Sequence, residues 1–159
     1  MRSGLLFPDM FNDQQPLRHA IAAVIEDGDE ILFVERAAVD TYPGYWSSVT
    51  GSIEPGETQQ QAVIRECMEE VGLRVKPVRK LWESATRRAH FVLHWWECSL
   101  EGPREVTPDP SEVAAYRWLK YDEIARMPLM FADSRWFFRE VYPVTAKEGQ
   151  TPFRRRNGV

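Results

Sequence analysis

Residues 51–73, GSIEPGETQQQAVIRECMEEVGL, place five glutamates within seventeen positions. Three of them, Glu66, Glu69 and Glu70, lie within little more than one turn of a predicted helix. Like charges at this spacing destabilise a helix by roughly 0.2–0.5 kcal/mol per pair. A purely structural protein has little reason to gather them, so the cluster indicates a function that offsets the repulsion.

The predicted helix begins behind Thr58, whose hydroxyl suits an N-cap, and ends at Gly72, which tolerates a left-handed cap. Because a helix advances about 100° per residue, its side chains divide into two arcs. The arc predicted to face the core contains Val63, Ile64, Cys67, Met68 and Val71. The opposite arc contains Ala62, Glu66, Glu69 and Glu70.

A divalent cation would convert the repulsion among these carboxylates into attraction. Mg²⁺ prefers hard oxygen ligands and is usually held by a few carboxylates, with waters and phosphate oxygens in the remaining positions. The competing interpretation is a solvated helix surface whose glutamates pair with Arg65 or nearby lysines, and an isolated REXXEE would favour it. The residues around the cluster favour the metal site.

The spacing of Gly51, Glu57, Arg65-Glu66, Glu69-Glu70 and Gly72-Leu73 resembles the signature of the Nudix hydrolases. Every charged and glycine position matches, and the one departure is Cys67, where the pattern prefers a bulky aliphatic residue. The resemblance implies an α+β Nudix fold with a mixed β-sheet sandwiched between helices. It also implies hydrolysis of a diphosphate linked to another group X, with Mg²⁺ or Mn²⁺ as cofactor.

The same resemblance implies roles for individual residues. Glu66, Glu69 and Glu70 are expected to be metal ligands, together with the Gly51 carbonyl. Glu57 and Arg65 are expected to tie the preceding loop to the helix. The general base is expected to be one of the three metal-site glutamates or a glutamate outside the signature, for which Glu112, in the loop before a predicted strand, is the candidate.

Candidate substrate contacts lie outside the signature. Arg36, at the end of a predicted strand, and Arg87 and Arg88, before another, suit phosphate oxygens, although arginines at strand ends are also ordinary surface charge. Tyr45 and Trp46 precede Gly51 and could stack on a base or pterin ring; packing in the core or at its rim is the alternative. His19, His90 and His94 fit no metal spacing and are predicted to be hydrogen-bonded strand residues.

The flanking sequence supports a single α+β domain. HAIAAVI and EILFVER, separated by EDGD, predict a β-hairpin, and RVKPVRKLWES, HFVLHWWECSL and AAYRWLK predict further strands. YDEIARM predicts a helix that stops at Pro128, and DSRWFFREVY one that is capped by Asp133 or Ser134 and stops at Pro143. We expect an N-terminal arm over residues 1–16, the domain over 17–145 and a flexible tail over 146–159.

Composition limits the classes of function. A net charge of -4 argues against a broad nucleic-acid surface, and the basic cluster Arg154–Arg156 is expected to be part of the solvated tail. No apolar run approaches the roughly 20 residues of a membrane span, and the start lacks a secretory signal, so a cytoplasmic protein is expected. Two cysteines provide no disulfide framework. The expected partner is a small nucleotide-like diphosphate, and the resemblance adds a possible homodimer.

Three functions are compatible with these residues. The first is metal-dependent hydrolysis of a small nucleoside-diphosphate-X substrate, such as a nucleoside triphosphate. Val49-Thr50 before Gly51 resembles the dihydroneopterin triphosphate and dATP pyrophosphohydrolase branch of the family more than its oxidised-nucleotide branch. The alternatives are a Nudix-fold nucleotide sensor that does not hydrolyse its ligand, and a pyrophosphohydrolase of RNA 5′ ends.

Overall fold

The computed structural model describes residues 16–38, 42–86 and 91–148. Its strands are β1 (Arg18–Asp27), β2 (Glu30–Arg36), β3 (Trp46–Ser47), β4 (Val49–Ser52), β5 (Val75–Thr86), β6 (Phe91–Leu100) and β7 (Val113–Lys120). Its helices are α1 (Gln59–Val71), α2 (Tyr121–Ile124), α3 (Ala132–Trp136) and α4 (Tyr142–Glu148), with a π-helical turn, Phe137–Val141, between α3 and α4.

The seven strands form one mixed sheet in the order β3-β2-β1-β6-β5, with β4 paired to β1 and β7 to β2. β1 and β6 run parallel from Arg18 to Glu26, and the other pairs are antiparallel. β1 divides one of its edges between two partners, because its first half pairs with β4 and its end pairs with β2. The predicted hairpin of β1 and β2 is confirmed.

Helices cover both faces of this sheet, which confirms the α+β class with a sheet between helices. On one face α1 packs over Ile21, Ala23 and Ile25 of β1. On the other face Ala22 and Val24 pack against an aromatic layer that includes Trp95 and Phe137, whose rings stack at 4.1 Å. Adjacent strand residues alternate between the two cores, as Trp95 and Trp96 do.

The predicted core arc of α1 is partly wrong. Val63, Cys67 and Val71 are buried, but Ile64 and Met68 are 47% and 45% exposed. The buried arc instead continues through Ala62 and Glu66, which the sequence analysis placed on the outer side. The cause is the contact between Glu66 and Gly51 of β4, which turns the glutamate side of the helix toward the sheet.

The C-terminal helices also differ from the prediction. α2 ends at Ile124, well before Pro128, and α3 begins at Ala132 behind Phe131 with no side-chain cap from Asp133 or Ser134. Pro143 lies inside α4 rather than at its end. The π-helical turn before α4 explains why the helix continues through this proline. Its wider hydrogen-bond pattern ends shortly before Pro143, where an α-helix would need a backbone N–H that proline does not have.

A polar network links this C-terminal segment to the sheet. The Tyr142 hydroxyl donates to Glu26 at the end of β1, and Arg79 of β5 donates to Glu97 at 2.5 Å and to the Thr145 carbonyl at 2.6 Å. Burial is the main cause that raises the pKa of Glu26 to about 7. The network therefore contains a carboxyl group that titrates near neutral pH.

Several predictions lie outside the described residues: the arm over residues 1–15, Arg87, Arg88, His90 and the tail from 149 with Arg154–Arg156. α4 extends to Glu148, three residues past the predicted end of the domain. Among the helices of the described ranges, none has the length and apolar character that crossing a bilayer requires.

Candidate active site

Helix α1 is fixed at both ends. The Thr58 hydroxyl accepts from the Gln61 amide at 3.1 Å, and the Gln61 side chain accepts from the Thr58 amide at 2.9 Å, which completes a capping box. At the other end Gly72 has φ 67° and donates to the Cys67 and Met68 carbonyls. Both helix limits predicted from the sequence are confirmed.

Gly51 and Glu66 are in close contact across the β4–α1 interface. A Cβ placed on Gly51 would lie 2.0 Å from Glu66 Cδ, which no side chain could tolerate without a shift. Glu66 is only 9% exposed, and this burial raises the pKa of Glu66. Arg65 opposes the shift, whereas the charges of Glu69 and Glu112 reinforce it. Gly51 therefore lies directly against Glu66, one of the predicted metal ligands.

Arg65 is the centre of the carboxylate network. Its guanidinium donates to both oxygens of Glu57 at 2.8 and 3.0 Å, to Glu66 Oε1 at 2.7 Å and to Glu69 Oε2 at 3.2 Å. It also donates to the Ser52 carbonyl at 2.9 Å. These contacts tie the loop 52–58 to α1, and the hydrogen bond from Arg65 is the main cause that lowers the pKa of Glu57.

The loop between β6 and β7 closes the other end of the cluster. The Asp109 amide donates to the Glu70 carbonyl at 2.8 Å, and the Thr107 amide donates to the Val71 carbonyl at 2.9 Å. The Glu112 carbonyl then accepts from the Ala37 amide at 3.0 Å, just past the end of β2. Glu112 is exposed and close enough for its charge to influence Glu66. The structure thus brings Glu112 to the signature glutamates.

The donor set suits a hard divalent cation. Glu66, Glu69 and Glu70 supply carboxylate oxygens, and the missing Cβ of Gly51 leaves the space that the Glu66 carboxyl group occupies. Among residues 16–38, 42–86 and 91–148, however, no three acidic, cysteine or histidine side chains are gathered closely enough to hold a metal ion. Arg65 holds Glu66 and Glu69 instead, so metal binding requires the partly or fully exposed Glu69 and Glu70 to reorient.

The substrate-contact candidates fall into two groups. Arg36 and Tyr45 lie together, because the Arg36 amide donates to the Tyr45 carbonyl at 2.9 Å and the guanidinium lies 5.8 Å from the Phe131 ring centre. Trp46 instead packs against the aromatic core, and its amide donates to the Leu129 carbonyl. The predicted stacking role of Trp46 therefore competes with a packing role.

Tyr45 is joined by two aromatic residues that were not predicted to belong to the site. Tyr42, Tyr45 and Phe131 form an aromatic cluster with ring centres 4.8 to 5.7 Å apart. Tyr42 has φ 64°, an unusual conformation for a tyrosine, and is 41% exposed. The Pro43-Gly44 turn could have drawn attention to the neighbouring Tyr42. No local sequence pattern predicts that Phe131, in the loop before α3, lies beside it.

Sheet, helix and carboxylate network together have the form of a Nudix domain, and a family model described as the NUDIX domain matches residues 16–141. The chain belongs to the Nudix hydrolase family. It is 28% identical over 126 residues to an NAD-capped RNA hydrolase NudC of Stutzerimonas stutzeri, covering 79% of this chain and 44% of that protein. It thus spans less than half the length of that relative.

Two more comparisons agree with this assignment. A CTP pyrophosphohydrolase of Escherichia coli is 29% identical over 116 residues, covering 71% of this chain and 83% of that protein. The crystal structure of the MutT protein from Methanosarcina mazei superposes with a TM-score of 0.71 at 21% identity, covering 87% of this chain and 99% of the other. The latter similarity confirms the fold.

Proposed function

We propose that the protein hydrolyses a diphosphate linkage in a small substrate of the nucleoside-diphosphate-X type, with Mg²⁺ or Mn²⁺ as cofactor. The observation that carries this proposal is the arrangement of Glu57, Arg65, Glu66 and Glu69 in one hydrogen-bonded network beside Gly51. The names of the NudC and CTP pyrophosphohydrolase relatives support phosphoanhydride chemistry.

The Nudix signature and the observed contacts support a role for each residue of the network. A bound divalent cation would polarise the phosphoryl oxygens, lower the pKa of a coordinated water and neutralise the departing phosphate. Glu66, Glu69, Glu70 and the Gly51 carbonyl would hold it. Arg65 and Glu57 position this set, because their hydrogen bonds fix the loop after Gly51 against α1.

The proton of the attacking water needs an acceptor. Glu112 is the base we propose, since it is exposed, its charge acts on Glu66, and its backbone is held at the end of β2. Glu66 itself is buried and hydrogen-bonded to Arg65, so a water molecule reaches it less easily than it reaches an exposed carboxylate. The other choice is one of the exposed signature glutamates, of which Glu69 is the more open.

The nucleoside part of the substrate is proposed to contact the Arg36 end of β2. The aromatic cluster Tyr42, Tyr45 and Phe131 offers faces on which a nucleobase can stack, and Arg36 offers a cation near phosphate oxygens. Trp46, Arg87 and Arg88 stay predictions as substrate contacts. So do the cytoplasmic location, the homodimer and the dihydroneopterin triphosphate or dATP preference.

The decisive experiment is a substrate panel with Mg²⁺ that includes CTP, dATP, dihydroneopterin triphosphate and ADP-ribose. Glu69→Gln and Glu70→Gln are expected to reduce kcat at least a hundredfold while the far-UV circular dichroism stays that of the wild type. Glu101→Gln, an exposed glutamate at the end of β6, is the matched control and keeps full activity. A wild-type protein that hydrolyses nothing in the panel would refute the proposal.

A second candidate is pyrophosphohydrolysis at RNA 5′ ends, because the NudC relative is named for capped RNA. The net charge of -4 disfavours a long RNA contact. Turnover of NAD-capped RNA and of free NAD at 50 and 200 mM salt separates the two. RNA hydrolysis that is faster and strongly salt-dependent would replace the small-molecule proposal, and tight nucleotide binding without turnover would indicate a sensor.

A further inference from the structure

A pocket of about 580 Å³ lies at the start of α1. Its lining includes Arg18, His19, Ser52, Glu54, Gln59 and His94. The volume is within the range of small-molecule sites in proteins. The pocket lies on the β6 side of β4, whereas the aromatic cluster lies on the β2 and β3 side. It shares no lining residue with the aromatic cluster of the proposed nucleobase site.

Two histidines on neighbouring parallel strands form one wall. His19 of β1 and His94 of β6 have nearly parallel rings, 16° apart, with His19 Nδ1 2.9 Å from His94 Nε2. His94 is 4% exposed, and its Nδ1 lies 3.1 Å from Glu83 Oε1 on β5. That contact is too poorly aligned for a regular hydrogen bond, and the buried nitrogen has no other partner in the described part of the chain.

These contacts fix which nitrogens carry hydrogen. Burial lowers the pKa of His94, so this ring is neutral at pH 7. Lys80 lowers the pKa of Glu83, so that carboxylate is ionised. A bare Nδ1 lone pair facing the carboxylate would be repelled, and His94 therefore carries its hydrogen on Nδ1.

The consequence reaches the pocket. Since His94 Nε2 then has only a lone pair, His19 must donate from Nδ1, which leaves His19 Nε2 as a hydrogen-bond acceptor. His19 is exposed and lines the pocket. The Glu83–His94–His19 relay thus presents an acceptor, held in one orientation, to whatever occupies the pocket.

The other charged side chains around the relay indicate which kind of ligand the pocket can bind. Lys80 is paired with Glu83, Arg18 lies over the Phe91 ring at 4.3 Å, and Glu57 is paired with Arg65. Glu54 is exposed and 3.9 Å from Arg65. Arg18 and Glu54 thus place one positive and one negative charge on the walls beside an acceptor histidine, and the pocket suits an uncharged group that offers O–H or N–H donors.

Arg65 connects this pocket to the candidate active site. One guanidinium contacts the Ser52 carbonyl and Glu57, which line the pocket, and Glu66 and Glu69, which would hold the metal ion. We propose that the pocket binds the hydroxyl-bearing sugar of group X, with His19 Nε2 as its acceptor. This inference rests on the proposed function, and it makes a diphosphate with a sugar on its far side a better substrate than a nucleoside triphosphate.

The test compares ADP-ribose, which has such a sugar, with CTP, which does not. His19→Ala is expected to raise the ratio of KM for ADP-ribose to KM for CTP about tenfold, the effect of one lost hydrogen bond. His19→Gln, whose amide oxygen can accept, is expected to recover part of the loss. An unchanged ratio in a His19→Ala protein with wild-type circular dichroism would overturn the proposal.

Glu83→Gln tests the relay itself, since a glutamine amide presents an N–H to His94 Nδ1. This favours the Nε2–H tautomer of His94, which reverses the direction of the hydrogen bond between His94 and His19. Long-range ¹H–¹⁵N NMR of histidine-labelled protein is expected to show His19 and His94 as Nδ1–H tautomers in the wild type. Glu83→Gln is expected to change both tautomers and to raise the same KM ratio, whereas Glu101→Gln changes neither. An Nε2–H tautomer of His19 in the wild type would refute the relay.

Failure of the proposed function can be distinguished from failure of the proposal that the pocket binds a sugar. If the wild type hydrolyses nothing in the panel, the proposed function fails. In that case, and whenever ADP-ribose and CTP are not turned over, titration with ADP-ribose tests the pocket directly. A shift of the His19 resonances that saturates and is lost in Glu83→Gln supports the pocket. Resonances of His19 that do not respond to ADP-ribose overturn it.

Discussion

At the scale of single residues, Gly51 shows how one missing side chain organises a site. The resemblance to the Nudix signature predicts its carbonyl as a metal ligand, and the structure places Glu66, another predicted ligand, against it. The buried state of Glu66 could not be predicted, because it depends on how deeply α1 settles on β4. Local sequence identifies the residues of this contact, and tertiary packing determines its electrostatics.

We therefore expect Gly51→Ala to destabilise the protein by about 1–3 kcal/mol, the usual cost of overpacking. The new methyl group would overlap Glu66 Cδ, and relief requires α1 or β4 to move. Urea denaturation measures the change. Gly102→Ala is the control, since its Cβ would meet only the flexible end of Arg74 at 3.3 Å, and equal losses in the two variants would contradict the prediction.

Glu26 gives a pH dependence at the same scale. Its pKa is about 7 in the folded protein against 4.5 for the free side chain, so between these values the native state binds more protons than the unfolded chain. Stability should therefore fall as pH rises from 4.5 to 7 and stay low above it. Burial is the leading cause, and the charges of Glu97 and Arg79 act in opposite directions.

Glu26→Gln is expected to flatten this slope and to be more stable than the wild type at pH 8 by about 1–3 kcal/mol. At pH 4 the difference should nearly vanish, because the wild-type carboxyl is then protonated in both states. Chemical denaturation at pH 4, 6 and 8 provides the measurement, with Glu101→Gln as control. Parallel pH curves for wild type and Glu26→Gln would show that another group is responsible.

At the scale of elements, α1 separates what sequence can predict from what it cannot. Both caps were predicted, because Thr58 and Gly72 act through their own backbone neighbourhood. The buried arc was wrong at Ile64 and Met68, because hydrophobicity alone does not reveal that a glutamate faces the sheet. The same limit applies to Pro143, where a π-helical turn allowed the helix to continue.

A pair of alanine variants tests the corrected arc. Val63→Ala removes a fully buried side chain and is expected to cost about 1–3 kcal/mol, whereas Ile64→Ala, which removes more atoms from an exposed position, should cost less than about 1 kcal/mol. Thermal and urea unfolding give both values. A larger loss of stability in Ile64→Ala than in Val63→Ala would contradict the observed arc and support the one predicted from the sequence.

At the scale of the whole molecule, the candidate site joins segments that are distant in the chain. Gly51 and α1 come from its centre, Arg36 from the end of β2, and Glu112 and Phe131 from the C-terminal third. Gly51 and the glutamates of α1 could be predicted because they lie close together in the sequence, within one signature. The aromatic cluster and the His19–His94 pair depend on strand order, which the sequence did not reveal.

Metal linkage is the prediction at this scale. If Mg²⁺ and methylenediphosphonate bind the folded state only, a hundredfold excess over Kd adds about 2.7 kcal/mol and raises Tm by roughly 5–10 °C. The shift should disappear with EDTA and in the Glu69→Gln, Glu70→Gln double variant. An equal shift in that double variant would place the binding site elsewhere.

The parallel pairing of β1 with β6 also has a consequence for biosynthesis. Ile21, Val24 and Ile25 are fully buried in the sheet, yet their β6 neighbours are synthesised only after β2, α1 and β5. A nascent chain emerging from the ribosome consequently carries β1 with one edge unpaired until β6 has left the exit tunnel. Release of polypeptides truncated before residue 91 should yield aggregation-prone fragments that recruit chaperones, because β1 is synthesised well before the strand that encloses it.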